Sequence, residues 1–513
     1  MLQCAHKKQN KLGRQRQRQQ NQIITNNMTS EAELNKLADR YPFDINEIEQ
    51  LVRCHAALLD TKNADTFLTK IALSSPYSYF FLPGDEMRRR VEIVEDKILP
   101  SGFASCLRAA MSVDLFVDCA NEGQDRSMER FLEGVADCGQ RGHKEALRII
   151  WDCCSYSAEF EDKIEPSLII DLCYRLAFSA DVIISPDADA VAIVARLESE
   201  HDGACLALER SLAQTGQGGY VTKENFFNWA ETMAPMISST LSTFMHNLLF
   251  HGKWMQHRLN FVLFQYPKLD QHSDIFDASH HPNLFALACT SPRLVGEWHN
   301  LYSRQFHGAS MNRLQYSILG YEGPTLVMIE TEHGHIIGGF FNTTWKKSHE
   351  YYGESNGFLF QLSPTLTVFN PTGEDKNFIH LQDGLGFGGT TNMPRLFIPA
   401  SMESCNAGVM DKTFQTGNLL PDDCLEKFNI KSIEVWGTGG EEAISTGLAS
   451  RAKQREMTDS AIYNARVIKD KKPLVGDINL LDTNLYKHRE EARGRSDFSV
   501  DEEHGGYRLE RGQ

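Results

Sequence analysis

The feature that most constrains the fold is a change in the spacing of apolar residues near position 300. Before it, apolar residues recur as on one face of a helix; after it, they form short runs bounded by glycine and proline. The two patterns belong to different secondary structures, so the chain is expected to join a helical part to a strand-rich part. Its 513 residues exceed what one compact core holds, which predicts two or three domains.

Residues 31–255 are predicted to form an all-helical domain. Ile45 and Ile48 stand at helical spacing behind Asp44, a residue type that caps helices. A further amphipathic stretch covers Lys223–Phe250. Turn-rich breaks separate such stretches, as expected between packed helices.

The strand-rich part is predicted to be an antiparallel β-sandwich flanked by helices, which makes the chain an α+β protein. Short apolar runs at close spacing, separated by turn residues, are typical of such sandwiches. The runs are Tyr321–Glu330, Ile336–Phe341, Phe358–Leu362, Leu366–Phe369, Phe378–Leu381, Leu396–Ile398 and Ile433–Trp436.

The remaining segments are predicted from composition. Residues 1–30 are basic and polar, which predicts a disordered tail; a mitochondrial presequence is the weaker alternative, because the stretch lacks an apolar helical face. Residues 256–290 are expected to be a linker. A charged helical extension is expected over 441–485; it either packs on its own domain or inserts at an interface with a partner. Residues 486–513 are expected to be a disordered tail.

Charge and cysteine usage limit the classes of function. The net charge of −16 argues against nucleic-acid binding, which needs a concentrated basic face. The sequence has no apolar run long enough to cross a membrane and no signal-peptide core. Its twelve cysteines include one adjacent pair, Cys153-Cys154, and no zinc-finger spacing. Reduced, mostly buried thiols in the cytoplasm are expected.

Two stretches of the helical part have the outline of calcium loops. Such a loop needs oxygen ligands at its first, third, fifth and twelfth positions around a glycine at the sixth. If Gly219 is the sixth, those positions hold Gln214, Gly216, Gly218 and Asn225. A loop starting at Asp152 would place Cys154 and Tyr156 where oxygens are required. The sequence predicts a scaffold that kept the helices and lost the metal, with calcium-responsive signalling as an alternative.

No catalytic, metal-binding or cofactor-binding residue is predicted in the strand-rich part. Gly386–Gly389 lacks the lysine of a phosphate-binding loop and is interpreted as turn glycine. Ser310 lacks the flanking glycines of a nucleophile elbow. His307, His333, His335 and His380 are candidate metal ligands, and Glu330, Glu354 and Glu434 are candidate acid–base groups, but no matched partner residues lie near them in the sequence. Because Glu434 stands between apolar neighbours on a strand, it is expected to be a hydrogen-bonded structural carboxylate.

An ordered set of residues over 291–440 resembles the TLDc domain family. The set begins with an aromatic-Ser segment and a His-Gly, continues through glycine and aromatic positions, and ends on a Glu-x-Trp strand. Its members are Tyr302, Ser303, His307, Gly308, Tyr321, Gly323, Pro324, Gly338, Gly339, Phe340, Trp345, Gly353, Glu354, Phe358, Phe360, Gly386, Gly388, Gly389, Glu434 and Trp436. The chain departs from the family at Arg395–Ile398, where the family often has a Gly-Leu-Trp-like strand, and at Pro399–Asp411, where the family normally has acidic residues and small turns.

Three segments of the helical part, Phe131–Ala136, Gln140–Ala146 and Phe227–Pro235, resemble the EF-hand-like region that precedes TLDc domains. The whole arrangement is similar to the lysosome-associated, TOR-signalling branch of the family. The resemblance implies a monomeric, non-enzymatic interaction protein. It implies binding to peripheral subunits of the V-ATPase, protection against oxidative damage, and a cytoplasmic location that extends to the lysosomal or vacuolar surface. The alternative is a redox-reactive or enzymatic TLDc protein that acts through Cys or Glu/His residues.

Overall fold

The computed structural model divides the chain into two compact units. Unit 1 comprises 1–266 with 288–295, and unit 2 comprises 267–287 with 296–513. The structure describes residues 31–59, 65–74, 84–111, 113, 124–138, 142–155, 162–184, 205–251, 262–276, 282–382, 384–390, 393–421, 427–447, 449, 498–501 and 506–509. The predicted tail at 1–30 lies outside these residues, as does most of the predicted extension at 441–485.

The described residues of unit 1 are mainly helical, as the spacing of apolar residues predicts. Its helices are α1 (Glu31–Arg40), α2 (Ile45–Leu59), α3 (Phe67–Ser74), α4 (Gly84–Ile93, continued by a π-helical turn Val94–Ile98), α5 (Phe103–Ala110), α6 (Gln124–Asp137), α7 (His143–Ser155), α8 (Pro166–Ile184), α9 (Leu206–Ala213), α10 (Lys223–Thr232) and α11 (Ser239–Phe250). A further helix, α12 (Pro282–Thr290), spans the division between the units.

The core of unit 1 is built on α8 and α11, which pack against each other. Every residue of α11 is buried, including the polar His246 and Asn247, so the helix is enclosed on all sides. The Asn247 carboxamide donates a hydrogen bond of 3.0 Å to the Ala180 carbonyl, which satisfies a buried polar group between the two helices. The pair therefore forms the centre on which the other helices pack.

Helices α7–α8 and α9–α10 are joined by a short antiparallel bridge between Ile164 and Val221. The backbone N–H of each residue donates to the carbonyl of the other, at 3.0 and 2.9 Å. Val221 stands two positions after Gly219, whose positive φ of 86° fits the sharp turn of a calcium loop. A bridge of this kind also joins the two loops of an EF-hand pair, so it is compatible with the EF-hand-like resemblance.

The bridge changes the register expected for the first loop. Asp152 does not start that loop, because it lies within α7 and pairs there with Lys223 at 3.3 Å. If Ile164 occupies the place of Val221, the twelfth position is Leu168, which offers no side-chain oxygen. In the other loop the Asn225 side-chain amide at the twelfth position donates to the Thr215 carbonyl. Both twelfth positions therefore lack the carboxylate that calcium needs.

Unit 2 contains two large sheets, which are antiparallel except for the β1–β2 pair. The strands are β1 (Lys268–Leu269), β2 (Glu297–Ser303), β3 (Thr325–Thr331), β4 (Ile336–Phe341), β5 (Ser348–Tyr352), β6 (Phe358–Ser363), β7 (Thr367–Phe369), β8 (Ile379–Leu381), β9 (Gly384–Thr390), β10 (Met393–Pro399), β11 (Cys405–Ala407), β12 (Lys427–Phe428) and β13 (Ile430–Gly437). One sheet has the order β1-β2-β13-β3-β4-β6-β7 and the other β12-β11-β10-β9-β8-β5. Two short helices, α13 (Arg304–His307) and α14 (Met311–Ile318), follow β2.

One apolar core joins the inner faces of the two sheets. Phe341 of the first sheet stacks on Phe387 of the second, with ring centroids 4.6 Å apart and an interplanar angle of 7°. Alternate residues of β3 and β13, such as Val327 and Val435, point into the same core. The predicted α+β class, with a helical part followed by an antiparallel sandwich, is confirmed.

The segment 256–290 is expected to be a linker, but its described residues include strand β1 and helix α12. Residues 267–287 belong to unit 2, and β1 pairs in parallel with β2. At the other end, residues 440–447 are helical, and Ala443 and Ile444 pack against the core of the sandwich. The start of the expected extension thus packs on its own domain.

The end of the chain holds a short hairpin. Strands β14 (Phe498–Asp501) and β15 (Gly506–Leu509) pair antiparallel within the segment that composition predicts to be disordered. Among the helices of the described ranges, none is both long and apolar enough to cross a membrane.

Candidate functional site

A buried carboxylate, Glu434, lies on β13 in the seven-stranded sheet and has no exposed surface. Its Oε2 accepts hydrogen bonds from Ser273 Oγ at 2.7 Å and from Trp436 Nε1 at 2.9 Å. Its Oε1 accepts the backbone N–H of Asp274 at 2.6 Å. Both oxygens are therefore engaged by donors, one of them on β13 and the others in the loop that precedes β2.

The loop held by Glu434 carries its own turn. Ser273 Oγ also accepts the backbone N–H of Ile275 at 3.1 Å and of Phe276 at 3.0 Å, as in a serine turn. The turn directs Phe276 towards Trp298, with ring centroids 6.5 Å apart. The Glu434 carboxylate thus binds the loop at 273–276 to the sheet, and Phe276 packs against Trp298 beside these hydrogen bonds.

The residues at the end of β2 continue the same network. Ser303 Oγ lies 3.5 Å from Asp274 Oδ2 and caps α13. His307 Nδ1 accepts the Ser303 backbone N–H at 3.1 Å, and its ring stacks on Tyr302 at 5.4 Å. The Tyr302 hydroxyl donates to the Gly308 carbonyl at 2.7 Å. These four resemblance positions therefore shape the turn from β2 into α13.

The chemistry open to Glu434 is limited by its surroundings. Burial raises the pKa of its carboxyl group above the ordinary value of 4.5, and the hydrogen bonds from Ser273, Asp274 and Trp436 oppose that rise. An acid or base must reach a substrate proton at hydrogen-bonding distance, but Glu434 has no surface and no unengaged oxygen. The geometry is that of the structural carboxylate that its place on the strand predicts.

Tyr321 is enclosed by glycines. A Cβ atom at Gly323 would lie 2.6 Å from the Tyr321 hydroxyl oxygen, and one at Gly437 would lie 2.6 Å from ring atom Cζ. The backbone N–H of Gly439 donates to the same hydroxyl at 2.9 Å. The backbone N–H of Thr438 donates to the Pro324 carbonyl at 2.9 Å. Tyr321, Gly323 and Pro324 together hold the segment that leads from β13 into the helix at 440–447.

The middle resemblance positions build the contact between strands and sheets. A Cβ atom at Gly338 would lie 2.0 Å from the Val327 carbonyl oxygen, so only glycine fits there. The Trp345 indole N–H donates to Thr325 Oγ1 at 2.9 Å beside the stacked core rings. The others are Gly339, Phe340, Phe358 and Phe360, which are buried in β4 and β6, and Gly353, which lies against Phe378.

The remaining polar candidates are not brought together. Glu330 pairs with Lys431 at 2.8 Å, whereas Glu354 is exposed. His333 and His335 lie at the β3–β4 turn, while His380 lies on β8 and His307 on α13. Within the described ranges, no three His, Cys, Asp or Glu side chains are grouped to hold a metal ion.

The glycines at 386–389 lie in strand β9, not in a turn. Gly386 has extended backbone, but Gly388 and Gly389 have φ values of 67° and 75°, which favour glycine. A Cβ atom at Gly389 would lie 2.2 Å from the Met393 carbonyl oxygen, and one at Gly388 would lie 2.6 Å from Asp411 Oδ2. The two glycines therefore let β10 and the loop around Asp411 approach the end of β9.

Arg395 contacts that loop from the interior of the domain. Its side chain is fully buried, and it donates to the Gly417 carbonyl. Its guanidinium lies 5.6 Å above the ring of Phe369, and Nη1 lies 3.8 Å from Asp411 Oδ1. Desolvation lowers the pKa of Arg395, and the charge of Asp411 opposes that shift. Asp411 in turn accepts the Gly389 backbone N–H at 3.0 Å, so Arg395 and Asp411 fix the loop between them.

Three apolar side chains on the segments that Arg395 and Asp411 hold are exposed. Met393 at the start of β10 is 78% exposed, Met410 is 70% exposed and Val409 is 42% exposed. The Val409 carbonyl accepts the Gly417 N–H at 2.9 Å, so the loop is bonded along its length. We call Met393, Val409 and Met410 the methionine edge. Val409 and Met410 lie within Pro399–Asp411, one of the two segments where the sequence departs from the TLDc family pattern.

Sequence reasoning missed the partners of these side chains. Ser273 and Asp274 fall in the expected linker, and no periodic pattern marks a polar loop that bonds to a strand 161 positions later. Arg395 carried a usable signal, because an arginine between apolar strand residues is rarely buried without a partner. Its partner carbonyl, at Gly417, could not be read from the sequence.

Comparison with known proteins agrees with this geometry. Residues 269–439 match the family model described as the TLDc domain. MTOR-associated protein MEAK7 of Xenopus laevis is 31% identical over 152 residues, which are 28% of this chain and 32% of that protein. Oxidation resistance protein 1 of Xenopus tropicalis is 32% identical over 147 residues, which are 28% of this chain and 16% of that protein.

The match to the relatives is confined to part of each protein, and it spans about a third or less of their length. The family-model match, 269–439, begins at the second residue of β1 and ends just after β13, so it includes strands β2 to β13. It includes the loop that Glu434 holds. The sequence match and the two-sheet fold together identify residues 269–439 of this chain as a TLDc domain.

Proposed function

We propose that the TLDc domain of this chain is a protein-binding module, and that the methionine edge is its contact surface. The partner we propose is a peripheral subunit of the V-ATPase, with regulation of that pump as the result. The observation that carries the proposal is the exposure of Met393 and Met410 on adjoining, hydrogen-bonded segments.

The methionine edge exposes apolar side chains to solvent. A single exposed apolar side chain is ordinary on a protein surface. Two methionines and a valine at one edge are less so, and methionine adapts its shape to a partner surface. The edge is also held in place, because Arg395 and Asp411 bind its segments from within. A fixed apolar edge loses little conformational freedom when a partner covers it.

The interior argues for binding over catalysis. Glu434, Ser303 and His307 are occupied by the hydrogen bonds that shape the fold. Ser310 caps helix α14, with the Arg313 N–H as donor at 3.4 Å. Burial raises the pKa of Cys405 to about 12, which keeps that thiol protonated at neutral pH. These features favour a non-enzymatic role over chemistry through Cys405 or the Glu/His residues.

The choice of partner rests on the family. Relatives that share this domain are named for association with MTOR and for oxidation resistance. The TLDc resemblance implies contact with the peripheral part of the V-ATPase. We propose that this chain acts there, at the cytoplasmic face of the lysosome or vacuole, and that protection against oxidative damage follows from control of the pump.

The test is binding of the full chain to purified peripheral sector of the V-ATPase, with ATP hydrolysis followed in parallel. We expect Met393→Asp with Met410→Asp to weaken binding at least about tenfold, because charged groups would be buried at the contact. Phe306→Asp is the matched control, since Phe306 is 56% exposed on another part of the same domain. Its binding should equal that of the wild type.

Two results would reject the proposal. If the wild-type chain neither binds the peripheral sector nor changes its ATP hydrolysis, the partner is wrong. If it binds and the double variant binds equally well, the partner stands and the methionine edge is wrong.

A further inference from the structure

The turn between β5 and β6 holds the one asparagine of the sequence that is followed directly by glycine, Asn356-Gly357. Asn356 is exposed in this turn. Asparagine is one of the thermally labile residue types, and a turn on the surface leaves its side chain room to move. Because glycine has no Cβ atom, the backbone nitrogen that follows the asparagine is open to close approach.

The packing of the sheet fixes glycine at position 357. Gly357 is buried, and a Cβ atom there would lie 2.8 Å from the Phe340 carbonyl oxygen and 3.0 Å from Phe341 Cδ1. Another residue would therefore force β4 and the start of β6 apart. The fold thus requires glycine directly after an exposed asparagine.

The same turn connects the two sheets of the domain, because β5 belongs to the six-stranded sheet and β6 to the seven-stranded sheet. Its first residues are held in place. A Cβ atom at Gly353 would lie 2.6 Å from Phe378 Cβ, and the Glu354 backbone N–H donates to Thr343 Oγ1 at 3.1 Å. Since Gly357 is packed at the other end, the backbone between 354 and 357 spans two fixed points.

We propose that Asn356 deamidates without an enzyme, and that the isoaspartyl product weakens the connection between the two sheets. The reaction gives the TLDc domain a negative charge that the sequence does not encode. It also creates the kind of linkage that isoaspartyl carboxyl methyltransferases modify. The methionine edge lies on other segments, so this proposal does not depend on the binding role given to that edge.

The reaction needs only water. The Gly357 backbone nitrogen loses its proton and attacks Cγ of Asn356, a C–N bond forms, and the carboxamide nitrogen leaves as ammonia with that proton. The product is a five-membered succinimide. Water then breaks one of its two C–N bonds. Cleavage at Cγ gives aspartate, whereas cleavage at the main-chain carbonyl gives isoaspartate, in which the backbone runs through Cβ and Cγ and is one atom longer.

The rate is tested on the purified full chain, incubated at physiological temperature at neutral and at mildly alkaline pH and mapped by mass spectrometry of its peptides. Asn312 is the internal control. It is also exposed, but it lies in α14, where the next backbone N–H, that of Arg313, donates to Ser310 Oγ at 3.4 Å. We expect Asn356 to be converted at least about tenfold faster than Asn312. Its rate should rise with pH, because the attacking nitrogen must lose a proton.

Asn356→Gln is the matched variant, since its longer side chain does not form the five-membered ring. Both proteins are treated after incubation with an isoaspartyl methyltransferase and labelled S-adenosylmethionine. The wild type should take up label in the peptide that contains residue 356, and the variant should take up none there. Equal conversion of Asn356 and Asn312, or equal labelling of the two proteins at this peptide, overturns the deamidation site.

The effect on the turn is tested by thermal unfolding. Asn356→Asp carries the new charge without the longer backbone, and it should unfold close to the wild-type temperature because the side chain is exposed. The isoaspartyl form, separated from the incubated wild type by ion exchange, should unfold at a lower temperature. If the isoaspartyl form and Asn356→Asp unfold together, the longer backbone does not weaken the connection, and that part of the proposal is wrong.

Discussion

At the scale of single residues, Glu434 decides how the loop at 273–276 is held. Replacing Glu434 with Ala removes the acceptor for Ser273 Oγ, Trp436 Nε1 and the Asp274 N–H. Leaving buried donors without partners costs about 1–3 kcal/mol each, so a loss of about 3–5 kcal/mol is expected. Glu434→Gln is the milder comparison, because it retains one acceptor oxygen and should cost about 1–3 kcal/mol.

Hydrogen exchange of the amides at 274–276 measures this locally. Exchange should be fastest in Glu434→Ala, intermediate in Glu434→Gln and slowest in the wild type. Equal protection in all three would mean that the loop is held by its aromatic contacts and not by the carboxylate.

The same residue predicts a dependence of stability on pH. The folded-state pKa of Glu434 is raised above its ordinary value of 4.5, so the folded chain keeps this proton to higher pH than the unfolded chain. The contribution is fully present below pH 4.5 and is lost as pH rises through the folded pKa. The stability of the wild type relative to Glu434→Gln should therefore fall across this window. Urea unfolding of both proteins at a series of pH values measures the difference, and a flat difference contradicts it.

At the scale of elements, strand β9 offers a matched pair of glycines. Gly389→Ala would place a methyl group 2.2 Å from the Met393 carbonyl oxygen at a φ of 75°. A residue other than glycine in this strained region costs about 1–3 kcal/mol, before the clash is counted. Gly386→Ala meets its nearest atoms at 3.5 Å and should change stability by less than about 1 kcal/mol. Thermal unfolding of the two variants tests the contrast, which disappears if β9 and β10 can shift apart.

The paired loops of unit 1 give another prediction. Asn225 donates its side-chain amide to Thr215 where a calcium loop would place a bidentate carboxylate. Calcium at micromolar concentration is therefore expected to leave the unfolding temperature of the chain unchanged. Titration calorimetry with calcium should show no heat of binding. Asn225→Glu tests whether the ligand is what is missing. A wild-type chain that binds micromolar calcium would restore the signalling alternative.

Helices and strands can be predicted from the sequence where apolar residues recur at the spacing of a helix or form a short continuous run. Ile336–Phe341 is both the predicted run and the observed β4. Strand β9 was missed, because its outer positions 384, 386 and 388 are glycines that hide the alternation with Leu385 and Phe387. Which residues meet Glu434 or Arg395 depends on contacts far apart in the chain, and such contacts leave no local pattern.

At the scale of the whole molecule, the domain boundary has a measurable consequence. A fragment starting at 291, the boundary drawn from the sequence, lacks β1 and both donors of the 273–274 loop. A fragment starting at 267 keeps them. With the same end at 447, the longer fragment is expected to be soluble and to unfold at higher temperature. Equal unfolding temperatures would show that the loop adds nothing to the stability of the domain.

The position of β13 between β2 and β3 also governs when this domain can fold during synthesis. The strand that completes the middle of the sheet is the last of the two sheets to leave the ribosome, after the whole second sheet has emerged. Until then β2 and β3 expose unpaired edges and apolar faces, which are prone to aggregation. Such a topology, rich in distant pairings, folds slowly. The nascent domain is therefore a natural client for chaperones, and any premature stop before Ile430 leaves it without its central strand.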